Sequence, residues 1–123
     1  MKSSLVLAFI GDSVWELKIR MYFINLKPYK VNELQSITSR YASAKMHYKF
    51  INFLIDNNEL NEGEISIYKR GRNAKVNTRR KNFDSTTYHA STGFEALIGY
   101  LYLNNQEQRI DELVNIIIKE YEK

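Results

Sequence analysis

Two carboxylates stand where this 123-residue chain is otherwise apolar or small. In Leu5-Val6-Leu7-Ala8-Phe9-Ile10-Gly11-Asp12-Ser13-Val14-Trp15-Glu16, Asp12 interrupts the run. In Phe94-Glu95-Ala96-Leu97-Ile98-Gly99-Tyr100-Leu101, Glu95 is the only charge. Acids are rarely buried unless something pairs with them. Ala8 and Gly11 flank Asp12, while Ser91 and Gly99 lie one turn either side of Glu95. Two small-residue helix faces, each bearing one acid, can pack closely and converge on a shared cation. The chemistry this predicts is metal-assisted. The bland alternative pairs Asp12 and Glu95 with basic residues such as Arg20 or Arg40, and composition alone leaves both open. Glu16 shares a helix face with Asp12 and is a candidate third metal ligand, but Arg20 at i+4 offers it an ordinary ion pair.

A second feature is a block of charge. Residues 69 to 81 hold seven of the 18 basic residues and no acid, leaving 11 basic against 14 acidic elsewhere, a net of −3. All the excess positive charge is local. Cations at a helix C-terminus are favourable in any protein, so Lys69-Arg70-Gly71-Arg72-Asn73-Ala74-Lys75 has an ordinary explanation as a solvated helix end. Arg79-Arg80-Lys81 does not. A cluster of this kind on a mildly acidic body points to a polyanion, with phosphates the natural partner.

Composition narrows the class. The chain holds no cysteine, which excludes disulfides and thiolate metal sites. His47 and His89 offer no zinc spacing, so a metal would be bound by oxygen, which suits magnesium or manganese. His89 has no second base or nucleophile beside it and reads as structural or substrate-contacting. One proline and five glycines disfavour a turn-rich β fold. No segment reads as a secretory signal, since Leu5 to Ile10 is short and runs into Gly11-Asp12. Nothing approaches the roughly 18 consecutive apolar residues of a membrane span. A soluble, cytoplasmic protein with no membrane association is expected.

The elements that must position these residues are helices. The spacing of Leu5, Phe9, Trp15, Ile19 and Phe23 predicts a first helix from Ser4 to Asn25, capped by Ser3 or Ser4 and broken at Pro28. A second is predicted from Asn32, with Leu34, Ile37 and Tyr41 apolar. A third covers Ala42 to Asp56, with Met46, Phe50, Phe53 and Leu54 inward. Asn61 and Glu64 form a capping box for a fourth, with Ile65 and Tyr68 inward and Gly71 near its end. Asn73 to Thr87 shows no periodicity and is predicted to be a loop. A fifth helix runs from Tyr88 to Leu103, and a sixth from Glu107 to Tyr121 with Ile110, Leu113, Ile117 and Tyr121 inward. The expectation is an all-α protein, one helical domain over residues 1–123. Most of the nine tyrosines and six phenylalanines sit at core spacing, so base stacking is not needed to explain them.

Phe9-Ile10-Gly11-Asp12-Ser13-Val14 and Phe94-Glu95-Ala96-Leu97-Ile98-Gly99 resemble the two acidic signature helices of the ribonuclease III catalytic domain. The order and spacing of the helices agree over nearly the whole chain. Lys69-Arg70-Gly71-Arg72-Asn73-Ala74-Lys75, and Tyr88 with Ser91-Thr92 before Phe94-Glu95, are similar to the hallmarks of the short Mini-ribonuclease III family, which lacks a double-stranded RNA-binding domain. The resemblance implies the ribonuclease III endonuclease-domain fold and a homodimeric, Mg2+-dependent endoribonuclease, with Mn2+ a substitute. The implied partner is double-stranded RNA, and the implied role is maturation of precursor 23S ribosomal RNA, leaving 5′-phosphate and 3′-hydroxyl ends. A ribosomal protein is a candidate helper. By position, Asp12 resembles the catalytic aspartate, Glu95 the partner acid that holds the metal, and Phe9 the dimer anchor. Lys69, Arg70, Arg72, Asn73, Lys75, Arg79, Arg80 and Lys81 are the candidate RNA-binding residues. The chain departs from the longer enzymes at Ala8, at Thr92 and around Val31-Asn32, where those carry further acids. These departures keep a second reading open, a non-catalytic RNA-binding or ribosome-assembly factor on the same fold. A plain helical interaction module would leave the basic cluster unexplained.

Overall fold

The first helix, α1 (Ser4–Leu26), starts where the Ser3 hydroxyl accepts the Val6 N–H at 3.3 Å. It ends one residue before Lys27, whose extended backbone is what a residue preceding proline prefers. The structure is a computed structural model that describes residues 1–75 and 85–123. Beyond α1, the described residues form α2 (Val31–Ser39), α3 (Ala44–Asp56), α4 (Glu62–Arg72), α5 (Ser85–Leu103) and α6 (Glu107–Tyr121), with no strand among them. The expected all-α architecture is what the chain adopts.

The helix ends follow from local chemistry. Ser43 accepts from the Met46 amide at 3.2 Å, so α3 opens at Ala44, two residues later than the periodicity suggested. The Lys30 amide donates to the Glu33 carboxylate at 3.0 Å and opens α2 at Val31. Asn61 and Glu64 exchange side-chain and backbone bonds at 2.8 and 3.0 Å, the expected capping box. Asn58 and Asn105 adopt φ of 55° and 60°, the left-handed conformation asparagine tolerates after a helix. The fifth helix begins at Ser85, earlier than Tyr88. Its first two residues are exposed and polar, so no apolar periodicity marks them.

The fifth helix is the axis of the core. Ala90 to Phe94, Ala96 to Gly99 and Leu101 are all buried, with α1, α3 and α4 packed around them. Trp15 meets Phe94 edge-on with ring centroids 4.9 Å apart, and Tyr41 stacks on Phe50 at 5.6 Å. The sixth helix is tied on by ion pairs. Lys18 reaches Glu107 at 3.0 Å and Asp111 at 2.8 Å. Arg109 holds Glu64 at 2.8 Å and the Glu59 carbonyl at 2.6 Å, so Glu64 caps α4 and also anchors α6.

The packing fixes which helix faces meet the core. The core face of α1 is Leu7, Ala8, Gly11, Val14, Trp15, Ile19 and Phe23, whereas Leu5 is 42% and Phe9 81% exposed. The helix is apolar on both sides, so periodicity could not say which side faces the core. On α3 His47, Phe50, Ile51 and Leu54 are buried, and Met46 and Phe53 pack half-buried against the same core, inward as expected. Tyr121 of α6 is half-buried against Phe50 and Phe53.

Candidate active site

Glycine sets the geometry of the site. At the crossing of α1 and α5, a Cβ on Gly11 would overlap the Glu95 carbonyl oxygen, and one on Gly99 would overlap the Leu7 carbonyl oxygen. Only residues without side chains permit this approach. The contact falls one residue before Asp12 and on Glu95 itself, so the backbones deliver the two carboxylates to the same place. The small-residue faces noted in the sequence are the faces that meet.

Glu95 is largely buried, with 19% of its side chain exposed, whereas Asp12 is exposed. Burial, then hydrogen bonding to Asp12 and its nearby charge, pushes the Glu95 carboxyl up to about 8. The arginines that might have neutralised the pair are committed elsewhere. Arg20 binds Glu16 at 2.7 Å, and Arg40 binds Glu122 at 3.3 Å. The Glu16–Arg20 pair is the ordinary intrahelical one, so the structure gives Glu16 a partner of its own.

The donor set fits a hard divalent cation. Two carboxylates, one of them costly to ionise alone, converge with no lysine or arginine paired to either among the described residues. Among the described residues no trio of His, Asp or Glu gathers that would hold a metal ion by itself. Among the described residues, a cation bound here would find Asp12 and Glu95 as its carboxylates, and further oxygens would have to complete its coordination.

His47, which the sequence reading left without a role, lies behind Glu95. Its Nδ1 is 3.9 Å from Glu95 Oε2 and 3.2 Å from Ser91 Oγ, and its Nε2 is 3.0 Å from the Tyr41 carbonyl oxygen. Burial pushes this imidazole down to about 4, so it is neutral and makes no ion pair with Glu95. The spacing of His47 to Phe50 and Leu54 on α3 was a signal that it faces the core. His89, by contrast, has a buried Nδ1 with no hydrogen-bond partner among the described residues.

A second close crossing positions the basic segment. A Cβ on Gly71 would meet Gly93 Cα at 2.8 Å and Ala96 Cβ at 2.9 Å, so the last turn of α4 lies on the helix that carries Glu95. Lys69, Arg70, Asn73 and Lys75 are exposed and Arg72 is half-buried. The Arg72 guanidinium stands 5.6 Å over the Tyr68 ring and donates to Asn73 at 3.3 Å, and Arg70 donates to the Met1 sulfur at 3.7 Å. Among the described residues none of these cations is in an ion pair. Arg79, Arg80 and Lys81 lie outside the described residues.

The domain family "Ribonuclease III domain" matches residues 5–106. The Mini-ribonuclease 3 of Enterococcus faecalis is 44% identical over 117 residues, which is 95% of this chain and 89% of that protein. That of Staphylococcus aureus is 40% identical over 114 residues, 93% of this chain and 85% of that protein. The crystal structure of a Fusobacterium nucleatum protein is similar with a TM-score of 0.81 at 34% identity, covering 97% of this chain and 93% of that one. With the paired acids, the glycine crossing and these likenesses over almost its full length, the chain belongs to the ribonuclease III family, alongside the Mini-ribonuclease 3 proteins.

Proposed function

We propose that this endoribonuclease is a divalent-metal-dependent enzyme that cuts double-stranded RNA, with precursor 23S ribosomal RNA as its substrate. The observation that carries the reading is the convergence of Asp12 and Glu95 with no lysine or arginine paired to either among the described residues. Asp12, which is exposed, and Glu95, which is largely buried, would hold a Mg2+ or Mn2+ ion, which would supply Lewis-acid chemistry for water activation and for charge on the scissile phosphate. The products are 5′-phosphate and 3′-hydroxyl ends.

Lys69, Arg70, Arg72, Asn73 and Lys75 bind the duplex backbone, and Arg79, Arg80 and Lys81, outside the described residues, are assigned the same role from the sequence. Among the described residues Lys69, Arg70, Arg72 and Lys75 are in no ion pair, which supports this, because phosphates are then their counter-charge. A-form duplex is read through shape, phosphates and 2′-hydroxyls, which suits a row of cations better than a pocket. A groove of about 510 Å³ between α1 and α2 is lined by neither Asp12 nor Glu95.

The working unit is a homodimer joined through α1. Phe9, Leu5 and Val6 are exposed together near its start, a patch that water does not favour. Two-fold symmetry places one site on each strand of a duplex. No helix of the described residues is long and apolar enough to cross a membrane. The test is purified protein with precursor 23S RNA, with and without Mg2+. Discrete cleavage only with metal, absent in Asp12→Asn, supports the reading. Tight binding without cleavage in Mg2+ or Mn2+ would replace it with an RNA-binding factor.

A further inference from the structure

Asp12, Glu16 and Arg20 follow one another on α1 at intervals of four residues, so they share a helix face, and all three are exposed. Arg20 stands about 12 Å along the helix axis from Asp12. Beside Arg20, α1 and α2 enclose the groove of about 510 Å³. Its lining joins the apolar Ile19 and Leu34 to the polar Arg20, Thr38 and Ser39. The polar groups keep unused capacity of two opposite kinds. Arg20 donates to Glu16 at 2.7 Å, and with 62% of its side chain exposed its other N–H groups remain open to solvent. Thr38 Oγ1 donates to the Leu34 carbonyl at 2.7 Å, and Ser39 Oγ to the Ser36 carbonyl at 3.0 Å. Each hydroxyl has thereby spent its one proton and keeps only acceptor positions.

We propose that this groove is a subsite for the ribose-phosphate backbone of the RNA strand cut at Asp12, with Arg20 pairing a phosphate and Thr38 and Ser39 accepting from a 2′-hydroxyl. It rests on the reading of the protein as an enzyme that cuts double-stranded RNA, and adds where the strand runs and how ribose is told from deoxyribose. Phosphate oxygens only accept, so they fit the guanidinium and not the two hydroxyls. A 2′-hydroxyl can donate, so it fits Thr38 and Ser39, and a DNA strand has no such donor. Continuity with the acid pair favours RNA over a protein occupant. Asp12 has a cation toward each end of its helix: Arg70, which reaches the Met1 sulfur at 3.7 Å, and Arg20. A strand lying along α1 meets both.

The test is cleavage of a synthetic RNA duplex by the full chain in saturating Mg2+, read as kcat and KM over a salt series. Arg20→Ala should raise KM about tenfold and flatten the slope of log affinity against log salt by about 0.9, with kcat within about threefold of wild type. An exposed ion pair contributes little to folding, so the variant keeps its fold. Glu16→Gln breaks the same pair but keeps Arg20, and its KM should stay within about threefold of wild type. A second set of duplexes carries a 2′-deoxy nucleotide near the cut, one position at a time. At least one position should raise the wild-type KM about fivefold, the loss of one hydrogen bond. Thr38→Val combined with Ser39→Ala should show that higher KM on the unmodified duplex and no further penalty from the deoxy nucleotide.

Wild-type KM and salt slope in Arg20→Ala would overturn the proposal. So would a Glu16→Gln variant as weak as Arg20→Ala, since the ion pair and not a phosphate contact would then matter. Deoxy penalties that all persist in the Thr38→Val, Ser39→Ala protein would overturn it as well. A protein occupant has its own signature. Val31 lines the groove and is exposed, and if Val31→Asp turns a dimeric wild type into monomer by light scattering, a second copy covers the groove instead. A wild type that leaves duplex RNA uncut in both Mg2+ and Mn2+ fails the double-strand cleavage reading on which the subsite depends, a result distinct from any behaviour of these variants.

Discussion

The Gly11 Cα faces the backbone carbonyl of Glu95 so closely that no side chain fits between them. The fold thus uses the backbone of one acidic residue as the packing surface for the neighbour of the other. Gly11→Ala should force α1 and α5 apart and destabilise the protein by about 3 kcal/mol, the upper range for overpacking a core. Gly63→Ala is the control, since a Cβ there meets only Asn61 Oδ1 at 3.4 Å. It should be neutral or stabilising by up to about 1 kcal/mol. Urea denaturation of both variants checks this, and equal effects would contradict the close crossing.

Asp12→Asn and Glu95→Gln should each abolish cleavage while leaving the helical spectrum intact. The amides keep the shape but remove the charge a divalent ion requires. Without metal, Glu95→Gln should melt no lower than the wild type, since it removes the like-charge pressure at the pair. With Mn2+ at about 100 times its Kd, the wild type should gain about 2.7 kcal/mol and neither variant should gain it. Calorimetry with and without Mn2+ reads the difference. Cleavage at wild-type rate by Asp12→Asn would end the assignment.

Glu64 sets an acid limit on stability. Burial alone would raise its carboxyl, but the Arg109 and Asn61 bonds outweigh burial and hold it below its ordinary 4.5. A depressed acid contributes stability that is full above the unfolded value and is lost as pH falls through the folded one. Stability should therefore decline below about pH 4.5 as Glu64 takes up a proton. Arg109→Ala leaves a buried carboxylate without its cation and should cost about 3–5 kcal/mol at neutral pH. Denaturation midpoints from pH 3 to 7 should show the gap between wild type and variant narrowing toward acid. A constant gap would mean that Arg109 acts through packing alone.

Phe9→Glu should convert the proposed dimer to monomer. The side chain is 81% exposed on one chain, so the change costs the isolated fold little and acts on assembly. Light scattering at micromolar concentration should report twice the chain mass for the wild type and one chain mass for the variant. The variant should also lose paired cuts across a duplex. A monomeric wild type would contradict the α1 interface.

The basic surface should reveal itself in salt dependence. Each phosphate neutralised on a duplex contributes about −0.9 to the slope of log affinity against log salt. Replacing Lys69, Arg70 and Arg72 by alanine should flatten that slope by about 2 to 3, as should replacing Arg79, Arg80 and Lys81. Cleavage at saturating RNA should survive the second replacement, because those residues are far in sequence from Asp12. Unchanged affinity and slope in both triple variants would mean other cations hold the RNA.

The sequence by itself determined the six helices and several of their ends. Ser3, Asn61 with Glu64, and the asparagines at 58 and 105 act through bonds within a few residues, so their effect is local and legible, whereas the starts of α3 and α5 fall two residues later and three earlier than periodicity alone marks them. It also exposed Asp12 and Glu95, since an acid in an apolar run is anomalous whatever packs against it. Which faces met was decided only by the tertiary structure. An α1 apolar on both sides gives no direction to its periodicity, so the spacing that predicted the helix could not say that Trp15 is buried while Phe9 stands in solvent. His47 became a neighbour of Glu95 only once α3 packed on α5, and Arg40 was drawn to Glu122 by contact across 82 residues of chain. Such contacts depend on how helices cross, and the crossing angle and register come from complementary surfaces of two elements, which neither element specifies alone.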